Sequence, residues 1–161
     1  MRGIQDIKDL KGKKVMVRLD FDVPIEGGKI RDDLRIRSSL KTLQFLREAG
    51  AKMILIGHIG RDPKNSLKPV YDYLNKLFPV SALVGDYFSE DTKKTIVGLS
   101  DCEAIMFENL RAHPEEEKND ENFAKKLASL VDVYVDESFA VSHRPHASIM
   151  RTAWRRPTPR A

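Results

Sequence analysis

The sequence predicts an α/β domain, a parallel-sheet, Rossmann-like three-layer lobe of about five strands with flanking helices. Three observations carry this. Apolar runs recur along the chain, and most are continuous rather than alternating, as in strands covered on both faces. Helical spacings lie between several of them. Strand starts fall roughly 24–38 residues apart, the length of one βα unit.

The first strand is Val15–Leu19, followed after a polar loop by a helix over Arg35–Ala49. That helix spaces Ile36, Leu40, Leu43 and Leu46 by three or four, and Gly50 ends it. Between the two, Gly27-Gly28 reads as a hairpin or loop turn, and Asp32-Asp33 as an N-cap and first-turn acids. Met53–Ile56 is the second strand. Leu67–Phe78 is a helix presenting Val70, Tyr71, Leu74 and Phe78, and Val80–Val84 is the third strand. Ala104–Phe107 is the fourth. A helix carrying Phe123, Leu127 and Leu130 then starts at an Asn119 or Asp120 cap and leads to the fifth strand, Val131–Val135. Cys102 reads as a structural thiol and Glu115-Glu116-Glu117 as a solvated acidic face.

Composition narrows the function. The 161 residues suit one domain, and 41% hydrophobic with 32% charged residues is a globular balance. No apolar run reaches the ~18–20 residues of a membrane helix. The first residues lack the apolar core of a secretory signal. One cysteine excludes a disulfide framework and a cysteine zinc site, and fits a cytoplasmic setting. The formal charge is +4, yet the last eleven residues hold four arginines and no acid. Without them the chain has 24 basic and 24 acidic residues, so the basic balance belongs to the tail and argues poorly for nucleic-acid binding. His143 and His146 lack the carboxylate spacing of a metal site, and no metal is expected.

Polar clusters follow the strand ends: Asp20-Phe21-Asp22-Val23-Pro24 with Arg35 beyond; Gly57-His58-Ile59-Gly60-Arg61; Glu108-Asn109-Leu110-Arg111; and Asp136 to Ser148, with His143-Arg144-Pro145-His146. In a parallel sheet these ends open on one edge, where ligands bind. Arg35, His58, Arg61, Arg111 and Arg144 would meet there. Guanidinium forks match phosphate and carboxylate oxygens, so the pattern suits a small, multiply charged anion. The glycines flanking Ile59 allow close approach of backbone N–H groups. Neither a G-x-x-x-x-G-K-[ST] loop nor a G-x-G-x-x-G occurs, so no nucleotide site is legible.

These same segments resemble the phosphoglycerate kinase family. Val17-Arg18-Leu19-Asp20-Phe21-Asp22-Val23-Pro24 is similar to its RVDFNVP segment, Asp33-Leu34-Arg35-Ile36 to D-x-R-I, and Gly57-His58-Ile59-Gly60-Arg61 to S-H-L-G-R. Ser66-Leu67-Lys68-Pro69-Val70 matches SLKPV. Glu108-Asn109-Leu110-Arg111 with His113-Pro114-Glu115-Glu116 matches ENLRFHPEE. Val133-Tyr134-Val135 through Ser148 resembles DVYVNDAFGTAHRAHAS. The matches come in family order over residues 4–149.

The resemblance implies a substrate site of Asp20, Phe21, Asp22, Arg35, His58, Ile59, Gly60, Arg61, Arg111 and Arg144. Asp20 would meet the substrate hydroxyl, and position 22 its carboxyl end. Arg35 would be catalytic, bridging the carboxyl and the phosphoryl in transit. His58, Arg61, Arg111 and Arg144 would hold the 3-phosphate of 3-phosphoglycerate. The family transfers a phosphoryl group between 1,3-bisphosphoglycerate and ADP with magnesium, by closure of two lobes, and the full enzyme is expected to be a monomer.

The resemblance covers an incomplete N-terminal lobe, residues 1–149. The Mg-ATP/ADP site lies on a C-terminal lobe that these residues do not supply, so this chain is expected to bind no cofactor and to be inactive alone. Residues 150–161 form an Arg/Pro-rich tail outside the family pattern, expected to be disordered; a frameshift or truncation near codon 150 is the corresponding expectation, and an intact reading frame in the nucleotide sequence would count against it. Asp22 stands where the family usually has Asn, and a carboxylate there repels a substrate carboxylate unless protonated or paired. Position 62 is Asp rather than Pro, Ala112 replaces Phe, and Ala140 replaces Gly. Two other readings remain open from the sequence: a stand-alone anion-binding module without catalysis, and a nucleic-acid adaptor using the tail.

Overall fold

A computed structural model describes residues 7–138 and 145–151. Five strands form one sheet: β1 (Lys14–Arg18), β4 (Lys52–Ile56), β5 (Leu83–Val84), β6 (Ala104–Phe107) and β7 (Val133–Asp136), with β2 (Ile25–Glu26) and β3 (Lys29–Ile30) forming a separate antiparallel hairpin. The sheet order is β5-β6-β4-β1-β7 and every pairing is parallel. Val15 lies between Met53 and Val133 in register, so β1 is a central strand.

The continuous apolar runs are explained by what covers them. Val15, Val17, Met53, Leu55, Ala104 and Met106 pack with Ile36, Leu43 and Leu46 of α1 (Leu34–Glu48) and Val70 and Leu74 of α2 (Lys68–Leu74). The alternate residues Met16, Ile54, Ile56, Ile105 and Phe107 pack on the other face with Ile96 of α3 (Glu90–Gly98) and Phe123, Ala124 and Leu127 of α5 (Glu121–Ser129). The strands β1, β4 and β6 thus bury both of their faces, while β5 and β7 at the sheet edges are only partly buried, and the three-layer α/β lobe expected from the sequence is the observed fold.

Local chemistry sets the element ends. Asp120 caps α5, its side chain accepting from Phe123 N at 2.8 Å. Gly50, just past α1, has φ +76°, the left-handed conformation common after a helix C-terminus. Gly27 and Gly28, at φ +56° and +72°, turn the β2–β3 hairpin. Asp33 occupies the N-cap position of α1 but makes no side-chain cap; its carboxylate instead accepts from Arg37 Nε at 2.5 Å and from the Tyr73 hydroxyl.

Several expectations need correction. The third strand is two residues long rather than five; residues 80–82 meet β6 through Ser81 N and Oγ to Ala104 O and through Met106 N to Ala82 O, without forming a continuous ladder. The second helix stops at Leu74, and tighter turns carry the chain to Phe78. Helix α3 has no counterpart in the sequence reading. Its short span buries only Thr92 and Ile96, and Val97 is 74% exposed, so it lacks a clear apolar stripe. Cys102 is exposed, in a turn with φ +71°, and is not a packed thiol. In α4 (Pro114–Glu117), Glu116 is 1% exposed, not part of a solvated acidic face. A π-helical turn, Ala147–Arg151, reaches the first two residues of the expected tail; residues 152–161 lie outside the described residues.

Candidate functional site

Because all five strands are parallel, the segments following β1, β4 and β6 emerge on one sheet edge. Leu19 N bonds Ile56 O at 2.8 Å, and Leu110 N bonds Gly57 O at 3.0 Å, so the three loops are laced together from their first residues. The approach is close enough to require glycine. A Cβ on Gly57 would stand 2.4 Å from Phe21 Cδ2 and 3.0 Å from Leu19 O. Gly60 has φ +62°, a conformation that turns its N–H back toward the loop after β1.

One group of site residues joins the first loop to α1. Arg35 Nη1 donates to Asp20 Oδ1 at 3.2 Å and to Asp22 O at 3.1 Å. Arg35 lies in the first turn of α1 (Leu34–Glu48), whose first N–H, that of Leu34, donates to Asp32 Oδ1 at 2.9 Å. The Arg35 side chain is 49% exposed, so it is reachable from solvent.

A second group joins the first loop to the one after β4. Asp22 Oδ1 accepts the Gly60 N–H at 2.8 Å, and Asp22 Oδ2 stands 3.8 Å from His58 Nε2. The carboxylate that departs from the family pattern is therefore held by a backbone hydrogen bond, with a neutral imidazole beside it. His58 is 2% exposed, and its Nδ1 lies 3.1 Å from Arg18 Nη2. Burial, then the charges of Arg18 and Arg111, hold its imidazole down to about 3, so the ring is neutral near neutral pH.

The third loop is fixed by Asn109, a residue whose role the sequence did not suggest. Its Oδ1 accepts from Ile59 N at 3.2 Å and Arg111 N at 3.1 Å, while its Nδ2 donates to Ile59 O at 3.3 Å and Asn65 O at 2.8 Å. Glu108 completes the frame by accepting from Leu67 N at 2.5 Å, Asn109 N at 2.8 Å and Ser66 Oγ at 2.7 Å. Arg111 Nη1 donates to Gly60 O, and its Nε lies 3.4 Å from Glu117 Oε1. A groove of about 460 Å³ lies beside these loops, with Asp22, Ile59, Gly60 and Ser66 among its walls.

The expected residues thus separate. Asp20, Asp22, Arg35, His58, Gly60 and Arg111 are joined by direct contacts. Arg61, on the same loop, is exposed and makes no ion pair among the described residues. Phe21 is fully buried under Gly57 and Ile59 is 5% exposed, so their side chains serve packing. Arg144, with His143 and Ala140, lies outside the described residues. Two buried charges that the sequence did not single out as site residues are Arg18, which contacts His58 Nδ1, and Glu116, which pairs with Arg18. Among the described residues no group of three or more His, Cys, Asp or Glu side chains is arranged to hold a metal ion.

Known proteins resemble this chain in both sequence and fold. The phosphoglycerate kinase family profile matches residues 4–158. Phosphoglycerate kinase of Borreliella burgdorferi is 39% identical over 159 residues, which is 95% of this chain and 40% of that protein. That of Dictyoglomus turgidum is 47% identical over 148 residues, 88% and 37% respectively. The cytosolic phosphoglycerate kinase of Triticum aestivum is 47% identical over 146 residues, 87% and 36%. Among solved structures, phosphoglycerate kinase of Coxiella burnetii superposes with a TM-score of 0.78 at 33% identity, covering 90% of this chain and 37% of that one. Phosphoglycerate kinase of Pyrococcus horikoshii gives 0.88 at 28% identity, covering 98% and 41%. The chain spans about 40% of the length of the relatives it matches.

Proposed function

The chain belongs to the phosphoglycerate kinase family, and on that premise we propose that its laced sheet edge is the 3-phosphoglycerate half-site of that enzyme. The reaction is phosphoryl transfer between the acyl phosphate of 1,3-bisphosphoglycerate and ADP, giving 3-phosphoglycerate and ATP. The observation that carries this reading is the direct linkage of Asp20, Asp22, Arg35, His58 and Gly60 across two loops that are far apart in sequence.

The residues divide the work. Asp20 accepts a hydrogen bond from the substrate hydroxyl. Arg35 exchanges its contact with Asp22 O for the substrate carboxyl and stabilises the charge that grows as the phosphoryl group moves. His58 offers a neutral N–H, and Arg61, Arg111 and Arg144 offer guanidinium donors to the 3-phosphate. Such transfer depends on positioning and charge neutralisation, so one half-site cannot perform it. Magnesium and the nucleotide are assigned to the part of the enzyme that lies outside this chain. This chain alone is expected to be inactive. No described helix is long and apolar enough to cross a membrane. The likeness to a cytosolic phosphoglycerate kinase of Triticum aestivum supports a cytoplasmic location for this protein.

A two-dimensional amide NMR titration with 3-phosphoglycerate tests the reading. Saturable shifts at His58, Gly60, Arg61 and Arg111 are expected. A dispersed spectrum that ignores the ligand would overturn it, and so would ADP-dependent turnover by this chain for the expectation of inactivity.

A further inference from the structure

Arg18 is fully buried at the end of β1, an arrangement rare for a charged side chain unless it is paired. Its donors go to three different parts of the chain. Nη1 reaches Leu19 O at 3.1 Å, Nε reaches Ser148 Oγ at 3.1 Å, and Nη2 reaches His58 Nδ1 at 3.1 Å. Its countercharge is Glu116, 1% exposed, whose Oε1 is 4.0 Å from Nη2. Glu116 is itself fixed: Oε2 accepts Ser148 N at 2.8 Å and Oε1 accepts the Ser148 hydroxyl at 2.5 Å. The Ser148 hydroxyl therefore accepts from Arg18 and donates to Glu116, and the direction of each bond is determined.

The contact with His58 is likewise directional. A guanidinium has N–H donors and no acceptor. At 3.1 Å from Nη2, the His58 Nδ1 must be the acceptor and carry no proton. The neutral ring then holds its proton on Nε2, the nitrogen facing Asp22 Oδ2 at 3.8 Å, beyond hydrogen-bond distance.

We propose that Arg18 is a positioning residue of this site: it acts through His58, holding the imidazole as the Nε2-protonated tautomer, so that the site presents a fixed neutral donor rather than a titrating cation. Glu116 and Ser148 hold Arg18 in turn. The significance for anion binding rests on the function proposed above, whereas the tautomer itself does not.

The groups facing His58 from each neighbouring element agree with this. Arg18 from β1, Arg111 from the turn after β6 and His146 from the segment before the π-helical turn all oppose protonation, and only Asp22, from the loop after β1, favours it. Burial opposes it most. A protonated ring would also aim an Nδ1–H at the Arg18 guanidinium.

Long-range proton–nitrogen NMR of the imidazoles in the ligand-free chain, over about pH 5 to 8, tests the proposal. The expected result is a His58 ring with bare Nδ1 and protonated Nε2 that does not titrate. A protonated Nδ1, or a titration midpoint near ~6.5, would overturn it. Arg18→Met is expected to bring the midpoint up toward the ordinary histidine range and to mix the tautomers, and Arg18→Lys, which keeps a cationic donor, to restore the suppressed titration. An Arg18→Met protein with an unchanged ring would overturn the proposal. If Arg18→Met does not fold, the wild-type spectrum still decides. Loss of 3-phosphoglycerate binding with the expected tautomer intact would sink the proposed function and leave the Arg18–His58 relation standing.

Discussion

The Asp22 carboxylate accepts the Gly60 N–H at 2.8 Å, so an acidic side chain occupies a backbone donor at the centre of the proposed anion site. Its second oxygen lies 3.8 Å from His58 Nε2. The Gly60 hydrogen bond accommodates the negative charge, but an incoming carboxylate or phosphate must share this donor with it.

Asp22→Asn is therefore expected to tighten 3-phosphoglycerate binding. The amide oxygen keeps the Gly60 N–H bond and the negative charge is lost. A repulsion of about 1 kcal/mol between charges near 4 Å in a wet site corresponds to roughly fivefold in affinity. Isothermal calorimetry on both proteins measures this, and weaker binding by the variant would contradict it.

Glu116 and its neighbour Glu115 should behave differently despite being adjacent acids. Glu116→Ala leaves the buried Arg18 without its countercharge, which costs about 3–5 kcal/mol. Glu115→Ala, at an exposed position, should change stability by less than about 0.5 kcal/mol. Urea unfolding of the two variants separates them.

The two glycines of the loop after β4 predict opposite balances of stability and binding. Gly57→Ala places a Cβ against Phe21 and the Leu19 carbonyl, a buried clash expected to cost about 1–3 kcal/mol. Gly60→Ala meets only the tip of Asn65 and should cost about 1–2 kcal/mol through its positive φ. Because Gly60 N–H sits inside the site, the smaller stability loss should accompany the larger loss of 3-phosphoglycerate affinity. Melting curves and calorimetry together read this.

Acid should weaken the fold through His58. Folded, its imidazole is held to about 3, chiefly by burial and then by Arg18 and Arg111. Unfolded, it titrates near ~6.5. Between these values the unfolded chain binds a proton that the folded chain does not. The contribution is therefore fully present above ~6.5 and is lost as pH falls toward about 3, at up to ~1.4 kcal/mol per pH unit. His146 and His113, also lowered mainly by burial, add with the same sign. Urea midpoints should fall over this window, with a shallower slope in His58→Gln.

Much of the fold was legible because its causes are local. Apolar runs bounded by polar loops reported β1, β4, β6 and β7, and three- and four-residue spacings reported α1 and α5. The Gly27-Gly28 turn and the Asp120 cap follow from the conformations and hydrogen bonds those residues favour. Helix α3 escaped because so little of it is buried. Asp20, Asp22, Arg35, His58 and Arg111 were legible because each follows a strand end or opens a helix, and a parallel sheet brings such positions to one edge.

The sequence by itself determined the strand–helix alternation, the side of the sheet on which the charged loops emerge, and the family. Those follow from short-range patterns and from the order of recognisable segments. Only the tertiary structure decided which charges are buried and what each one holds. Arg18 depends on Ser148, 130 residues away, and on His58, 40 residues away. Glu116 sits in a run of three acids that has every local mark of a solvated face. Burial of a charge depends on the partner that compensates it, and partners so distant in the chain leave no periodicity to read.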